Sequence, residues 1–222
     1  MGQIGVVHLE RRLGSDRLDV RLGAIDALER VMIDSASDHP AIVELLAAFV
    51  RECTPAAAPV PDPDAGGQPE QDPRPAADLQ AAVTVLGRRP AGRAERGRVN
   101  LTRANLFYAD LAGAVLADAD LTRANLFHAN LAGADLSGAD LTLADLGCAN
   151  LGGATLAGAN LTLANLTLAN LTDVDLTGAN LTEADLDVSA LTEVTPTGEQ
   201  QRAVNTPAPT WQPAPWWRRW RT

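Results

Sequence analysis

Leucine recurs at every fifth position from Leu101 to Leu191, nineteen times in succession. Two residues before each leucine stands alanine, except at Val99, Val174 and Ser189, and the residue between is nearly always Asn or Asp. A period of five fits neither the 3.6-residue repeat of an α-helix nor the two-residue alternation of a strand. A short, fixed period sustained over this length indicates a solenoid, in which successive turns stack on one another.

A second period, of twenty residues, divides the repeat into turns. The segment LTRANLFYADLAGAVLADAD (101–120) aligns without a gap on LTRANLFHANLAGADLSGAD (121–140), and the following residues keep the register. Four five-residue units therefore make one turn, and nineteen units give about 4.75 turns and a rod roughly 23 Å long at about 4.8 Å per turn. Leucine and alanine are expected to fill the axis, and the Asn and Asp positions to form hydrogen-bonded ladders.

The motif A-(N/D)-L-x-x resembles that of the pentapeptide-repeat family, and residues 99 to about 193 carry it. The resemblance implies a right-handed quadrilateral β-helix, so the fold class expected is mainly β with an N-terminal α-helical hairpin. It implies little about function, because one fold can carry many roles. Before the repeat, LGSDRLDVRLGAIDALERV and DHPAIVELLAAFVRE resemble the helical module found on many actinobacterial members of this family.

Apolar residues at helical spacing predict the two helices of that hairpin. Ser15 or Asp16 is expected to cap the first helix, and Pro40 suits the first turn of the second. A shorter helix is expected from Ala76 to Leu86, with Gly87 as its stop. The predicted organisation is a helical hairpin module at 1–53, a Pro-rich linker at 54–75, a capping helix and Arg-rich segment at 76–98, the β-helix at 99–195 and a Trp/Arg/Pro-rich tail at 196–222.

Charge is distributed unevenly along the chain, whose formal net charge is −10. Residues 99–195 hold twelve acidic residues and two arginines. An acidic rod repels nucleic acid, so direct nucleic-acid binding is not expected. Arginines crowd just before the first turn, where we favour an end cap over a phosphate or nucleic-acid contact. They are Arg88, Arg89, Arg93, Arg96 and Arg98.

Cysteine use and hydropathy bear on the cellular compartment. Cys53 and Cys148 lie far apart and give no disulfide framework, which fits a reducing cytoplasm. No apolar run approaches the ~20 residues that cross a bilayer, and the first residues lack the apolar core of a signal peptide. We therefore expect a cytoplasmic protein. No residue grouping indicates a cofactor or a metal ion, so none is expected.

All four tryptophans lie in the tail, interleaved with arginine. Such a composition suits cation–π packing on the acidic rod, a pocket on a partner, or weak contact with a membrane surface. Packing on the chain itself, or disorder, is favoured over a membrane role because a few interfacial rings attach only weakly. These candidate contact residues are Trp211, Trp216, Trp217 and Trp220.

The outward positions of the repeat differ from side to side. Two sides carry mainly glycine and alanine, whereas the other two carry large apolar and aromatic residues. An exposed apolar surface marks a contact, and its occupant is the chain's own N-terminal helices, a foreign protein, or a second copy in a homodimer. Phe107 is expected to stack under Phe127, and Leu143 under Leu163. The candidate partner surface comprises Phe107, Tyr108, Phe127, His128, Leu143, Leu163 and Leu168.

No arrangement of residues indicates catalysis. His128 continues a stack of side chains and has no nucleophile arranged around it, and Cys148 lacks further metal ligands. Three aspartates recur at ladder positions and are expected to be structural: Asp135, Asp140 and Asp145. We therefore predict a non-enzymatic protein-interaction scaffold.

The alternative function is a DNA mimic that binds DNA gyrase or another topoisomerase. Some members of the resembled family occupy the DNA-binding saddle of gyrase and give fluoroquinolone tolerance. The acidic rod fits this alternative. Its short length, the linker and the added helices fit it less well, since those mimics are usually longer rods that dimerise end to end.

Overall fold

The computed structural model describes residues 4–52, 75–89 and 98–186, with side chains from residue 7 onward. Within these ranges, helices precede a coil of short turns. None of these helices has the length and apolar character that a bilayer crossing requires. The helices are α1 (Ile4–Leu13), α2 (Leu18–Asp34), α3 (His39–Glu52) and α4 (Ala77–Gly87).

Helices α2 and α3 occupy the two stretches that the apolar spacing predicts, and their inward residues, including Leu28 and Leu46, are buried. The predicted cap is wrong. Neither Ser15 nor Asp16 is the N-cap of α2; that residue is Arg17, and no side chain caps the first turn. Ser15 Oγ instead accepts the N–H of Arg17 at 3.2 Å, too early in the chain to reach the free amides of the helix.

Helix α1 lies within the predicted module at 1–53 but is not one of its two predicted helices, and it packs against α2 with Leu13 buried. Helix α4 is fixed to α2 by an ion pair, because Arg21 Nε lies 2.6 Å from Asp78 Oδ2. Asp78 is almost fully buried, so it depends on this charged partner. Arg21 also donates to the carbonyl of Ser15 at 2.7 Å, which ties the start of α2 to the same site.

From residue 98 the chain winds into a four-sided coil. Parallel bridges join residues twenty positions apart, as between Asn100 and Asp120. Four such series run along the rod, and we name them faces 1, 2, 3 and 4 after their first bridged residues, Asn100, Asn105, Asp110 and Val115. The twenty-residue period is confirmed. The count of about 4.75 turns stays a prediction, because residues from 187 onward lie outside the described part.

Every unit changes direction through the same tight turn. The alanine N–H donates to the leucine carbonyl three residues earlier, as from Ala104 to Leu101 at 3.0 Å. The two residues between them are the first and second outer positions of the unit. From residue 103 to residue 183, every second outer position has a φ between 55° and 70°. This is the left-handed conformation of a type II turn, which glycine adopts without steric cost.

Leucine and alanine fill the interior as predicted. Every repeat leucine from Leu101 to Leu181 is buried. The alanine or valine two positions before each leucine, from Val99 to Ala179, is buried as well. Each buried methylene contributes on the order of 0.8 kcal/mol. Because each turn presents the same apolar lining above and below, neighbouring turns stabilise one another.

The first turn of the coil meets the helices at its exposed edge. Gln80 of α4 pairs with Asp110 as a strand would, since its Nε2 donates to the Asp110 carbonyl at 2.8 Å and its Oε1 accepts the Asp110 N–H at 3.0 Å. The Val115 N–H donates to the Gly87 carbonyl at 2.7 Å. Unpaired edges invite pairing with other chains, and these contacts satisfy part of this one.

Arginine side chains also bind this edge, each donating to a backbone carbonyl of the first turn. Burial lowers the pKa of Arg89, whose Nε also donates to the Leu86 carbonyl at 2.9 Å. Arg88 is exposed, and Arg93 and Arg96 lie outside the described residues. The three pairs are Arg51 with Asn100, Arg89 with Val115 at 3.1 Å, and Arg98 with Asp118 at 2.7 Å.

Gly87 is the last residue of α4, but it is not the left-handed cap that was predicted. The C-cap is Arg88 with a φ of −91°, so no left-handed glycine stops the helix. A Cβ on Gly87 would instead lie 2.8 Å from the Cβ of Ala114. The glycine therefore allows the end of α4 to approach face 4 closely.

Candidate partner-binding ridge

The four faces fall into two pairs that differ at the second outer position. On faces 3 and 4, six of the eight described positions are glycine, whereas none of the nine on faces 1 and 2 is. A left-handed φ costs a residue with a side chain roughly 1–2 kcal/mol. Faces 1 and 2 thus hold bulky residues at a cost that the turn itself does not require. We call the following set the ridge: Phe107, Tyr108, Phe127, His128, Leu143, Leu163 and Leu168.

Four rings form one cluster at the N-terminal end of the ridge. Phe107 and Phe127 are nearly parallel with centroids 5.8 Å apart, as predicted, and Tyr108 stacks on His128 at 4.7 Å. Within each turn the two rings meet edge to face at 4.6 Å. Such pairs contribute about 0.5–1.5 kcal/mol each beyond the area that they bury. Tyr108 remains 36% exposed, so the cluster leaves an aromatic surface open.

The cluster ends on Gly147, a contact that the sequence analysis missed. A Cβ at this position would lie 2.8 Å from Cδ2 of Phe127, so the ring covers the glycine backbone. The available signal was a glycine at an outer position of face 2, where the other described outer positions carry side chains. Gly147 therefore belongs to the site as the residue that lets the Phe127 ring lie flat.

Leucines form the other end of the ridge. The Leu143 N–H donates to the Thr162 carbonyl at 3.0 Å, which places Leu143 and Leu163 in register on successive turns of face 1. Leu163 is 43% exposed, and Leu168 of the same turn on face 2 is 73% exposed. Cys148, one turn before Leu168, is half-buried and forms no disulfide.

The ridge is not covered by the N-terminal helices. The hydrogen bonds that join them to the coil go to Asn100, Asp110 and Val115 at the edge of the first turn, so the helices lie on the end of the rod. The sequence allows three occupants of the ridge: the N-terminal helices, a foreign protein or a second copy of the chain. The structure excludes the helices. The four tail tryptophans (Trp211, Trp216, Trp217 and Trp220) lie outside the described residues.

The polar positions between alanine and leucine form the predicted ladders. On face 3, Asn130 donates to Asp110 at 2.9 Å, Asn150 to Asn130 at 3.2 Å, and Asn170 to Asn150 at 2.9 Å. Asp135, Asp140 and Asp145 each accept the backbone N–H two residues on, at 3.0, 3.0 and 3.1 Å. The aspartates are therefore turn-forming residues. In the described ranges, no group of three or more His, Cys, Asp and Glu side chains is placed to hold a metal ion.

The environments of the ladder aspartates shift their pKa values in different directions. Burial raises the pKa of Asp145 on face 2, and hydrogen bonds from Gly147 and Asn165 offset part of that effect. On exposed face 4, the hydroxyl and backbone N–H of Thr177 lower the pKa of Asp175. These shifts follow from burial and turn hydrogen bonds, and they concern stability.

Comparison with known proteins identifies the repeat family of the coil. The family model described as pentapeptide repeats, with 8 copies, matches residues 99–138, 119–157 and 149–187. One similar solved structure is HetL, a pentapeptide repeat protein involved in heterocyst differentiation regulation from the cyanobacterium Nostoc sp. strain PCC 7120. HetL is 42% identical to this chain, and the match covers 40% of this chain and 47% of HetL with a TM-score of 0.33. The chain thus spans about half the length of HetL.

Two further structures differ in how similar they are to this chain. Another pentapeptide repeat protein from Nostoc PCC 7120 is 42% identical over 42% of this chain and 73% of its own, with a TM-score of 0.30. Full-length QnrB1, a plasmid-mediated fluoroquinolone resistance protein, is 19% identical over 43% of this chain and 60% of its own, with a TM-score of 0.21. None of the curated proteins matches this chain. By its residues 99–187, the chain belongs to the pentapeptide-repeat family, whose fold is a right-handed quadrilateral β-helix.

Proposed function

We propose that this protein is a non-enzymatic interaction scaffold that binds another protein through the ridge on faces 1 and 2. The observation that carries the proposal is the presence of exposed bulky residues at left-handed turn positions. Tyr108, Leu163 and Leu168 have φ values of 57°, 59° and 59°, and all three are substantially exposed. The interior and the turns do not need these side chains, so a contact outside the coil is the remaining reason for them.

The arrangement of the ridge suits recognition of a protein surface. Its four rings are held by one another, so these side chains lose little conformational freedom on binding. Aromatic residues on a rigid support are typical of the residues that dominate binding energy at interfaces.

The cytoplasm is the proposed compartment, as the cysteine content suggests.

Gyrase mimicry remains the second candidate, favoured only by the acidity of the rod. A DNA mimic needs exposed acids along one continuous face. The described acids instead lie on all four faces, and several of them are half-buried in ladders. We therefore rank this function below the scaffold, and its test is inhibition of DNA supercoiling by gyrase at micromolar protein. An unchanged supercoiling rate would remove it.

The proposal is tested by removing the three exposed ridge side chains that occupy left-handed positions, without disturbing the backbone. In the triple variant Tyr108→Gly, Leu163→Gly and Leu168→Gly, each glycine fits the left-handed φ, so the coil is expected to fold. Crosslinking in extract of the native host, followed by mass spectrometry, is expected to lose the proteins captured by the unaltered chain.

The matched control makes the same backbone change away from the ridge. Asp118 also has a left-handed φ, of 56°, on face 4. The variant Asp118→Gly is expected to keep the captured proteins. Equal capture by the ridge variant and the control would show that the ridge is not the binding surface.

A further inference from the structure

The leucine end of the ridge combines an apolar surface with an acidic border. The leucine patch consists of Leu143, Leu163 and Leu168, of which the last two are the most exposed large apolar residues of the described coil. Glu183 follows Leu163 in the same column, since the Leu163 N–H donates to the Thr182 carbonyl at 3.0 Å.

Two further acids border the patch. Asp185 lies on face 2 one turn beyond Asn165, and Asp173 follows Leu168 on the next face. Both carboxylates and that of Glu183 are exposed. The two arginines of the coil, Arg103 and Arg123, lie at the opposite end of face 1 beside the ring cluster. An occupant that carries apolar rings and positive charge therefore fits the leucine end and is repelled from the other.

The chain itself contains a segment with this chemistry. Its four tryptophans and three of its arginines lie between Trp211 and Arg221, and residues 196–222 as a whole hold four arginines and one acid. We propose that this segment docks on the leucine patch of the same molecule, with its tryptophan rings on the leucines and its arginines beside Glu183, Asp185 and Asp173.

The point at which the described chain ends makes this contact accessible. Leu186 lies on face 2, the face that carries Leu168, one turn beyond Leu166. The patch extends about two turns back from there, or about 10 Å. The number of residues between Leu186 and Trp211 is 24, and a random coil of that length has a root-mean-square span of roughly 27 Å. The connection is thus long enough, and it keeps the local concentration of the segment high.

Docking of the tail would regulate the ridge, because a foreign partner would have to displace it. This regulatory consequence rests on the proposed function, whereas the docking itself does not. Self-docking also explains how an exposed patch of leucines is kept from non-specific association in the absence of a partner.

Tryptophan fluorescence gives a direct test, because all four tryptophans lie in the tail. In the purified full-length protein, tryptophan-selective excitation is expected to give blue-shifted emission and slower acrylamide quenching than a synthetic peptide of residues 197–222. In the variant Leu163→Gly with Leu168→Gly, both properties are expected to shift to the values of the peptide. The control variant Arg103→Gly with Asp118→Gly changes two left-handed positions away from the patch and is expected to keep the emission of the unaltered chain.

Charge is tested separately. The variant Glu183→Gln with Asp185→Asn is expected to lose part of the blue shift. So is the unaltered protein in about 1 M salt, where the Debye length falls to about 3 Å. If the emission stayed blue-shifted in the leucine variant, or matched the free peptide in the unaltered chain, the proposal would be overturned.

Other occupants give different results. A blue shift that grows with protein concentration, together with a doubled mass in light scattering, would assign the tail to a second copy. A blue shift that arises only after addition of phosphatidylserine vesicles would assign it to a membrane. Either result overturns docking within one molecule.

The two proposals fail separately. Loss of partner capture in the ridge variant without any change in tryptophan emission would leave the scaffold function standing and remove tail docking. A change in tryptophan emission in the leucine variant, with no protein captured by the unaltered chain, would support tail docking and remove the scaffold function. If both hold, a chain that ends at residue 195 is expected to capture more partner than the full chain.

Discussion

Faces 1 and 2 differ from faces 3 and 4 only on the outside of the rod. All four share a leucine interior, the same turn and the same bonds between turns. Faces 3 and 4 mostly place glycine where φ is left-handed, which is the residue that the turn favours. Faces 1 and 2 place Arg, Tyr, His, Leu, Cys and Glu there. The preference of the turn for glycine therefore accounts for six of the eight described positions on faces 3 and 4, and for none of the nine on faces 1 and 2.

The largest expected effect tests whether the interiors of the two pairs of faces are equivalent. Leu126 on face 2 and Leu136 on face 4 are both fully buried. Replacing either with alanine is expected to lower the free energy of unfolding by about 2–5 kcal/mol, because a cavity is left in a core that cannot collapse. Urea unfolding followed by circular dichroism measures the loss. Losses that differ by more than the error would show that the faces differ inside as well as outside.

The next effect concerns the preference of the turn for glycine. Gly153 on face 3 has a φ of 68°, and a Cβ there would meet no atom within 4 Å. Gly153→Ala is therefore expected to cost about 1–2 kcal/mol of unfolding free energy through backbone conformation alone. Ser137→Ala, at a first outer position, is the control and is expected to change stability by less than about 0.5 kcal/mol. Equal changes in unfolding free energy for the two variants would show that the left-handed position has no preference for glycine.

A third prediction uses the pH dependence of stability. The folded pKa of Asp145 is raised, so its favourable contribution is present only below the pKa of the unfolded chain and is lost as pH rises through the folded value. At neutral pH the buried carboxylate therefore destabilises the coil. Asp145→Asn removes the charge and supplies an amide that can donate to Asn125 one turn away, so we expect a gain of about 1 kcal/mol at pH 7. Thermal unfolding across pH is expected to show this gain shrinking under acid conditions.

Asp175 on face 4 is the matched control for that experiment. Hydrogen bonds from Thr177 lower its pKa, so its contribution has the opposite sign: it is present above the unfolded pKa and is lost as pH falls. Asp175→Asn is expected to give no gain at pH 7. A gain of the same size in both variants would point to net charge as the cause.

The smallest effect is expected from restoring glycine to the ridge. In a chain that ends at residue 195, Leu168→Gly is expected to raise the unfolding free energy by a few tenths to about 1 kcal/mol, because relief at a φ of 59° exceeds the entropy that glycine adds to the unfolded chain. In the full chain the gain is expected to be smaller if the tail contacts Leu168. Thermal melts of both lengths measure the difference. Destabilisation of the shorter chain would show that Leu168 supports the coil itself.

Repetition decided which features could be predicted. The leucine core, the turn of twenty residues, the ladders and the Phe107–Phe127 stack each follow from side chains that recur at a fixed spacing. Contacts that occur once were missed. The burial of Gly147 under Phe127 depends on the orientation of a single ring. The first turn of α2 has no side-chain cap, although Ser15 or Asp16 was predicted to provide one. Nothing in a periodic pattern specifies such single events.

The sequence alone determined a four-sided rod with a polar ladder, two smooth faces and two bulky ones, because each property is encoded locally and repeated at every turn. The tertiary structure alone decided where the helices lie. They bind the end of the rod through Gln80 on Asp110 and through Gly87 against Ala114, and so leave the ridge uncovered. The physical reason is that an unpaired edge offers backbone groups that need hydrogen bonds, and residues distant in sequence satisfy them.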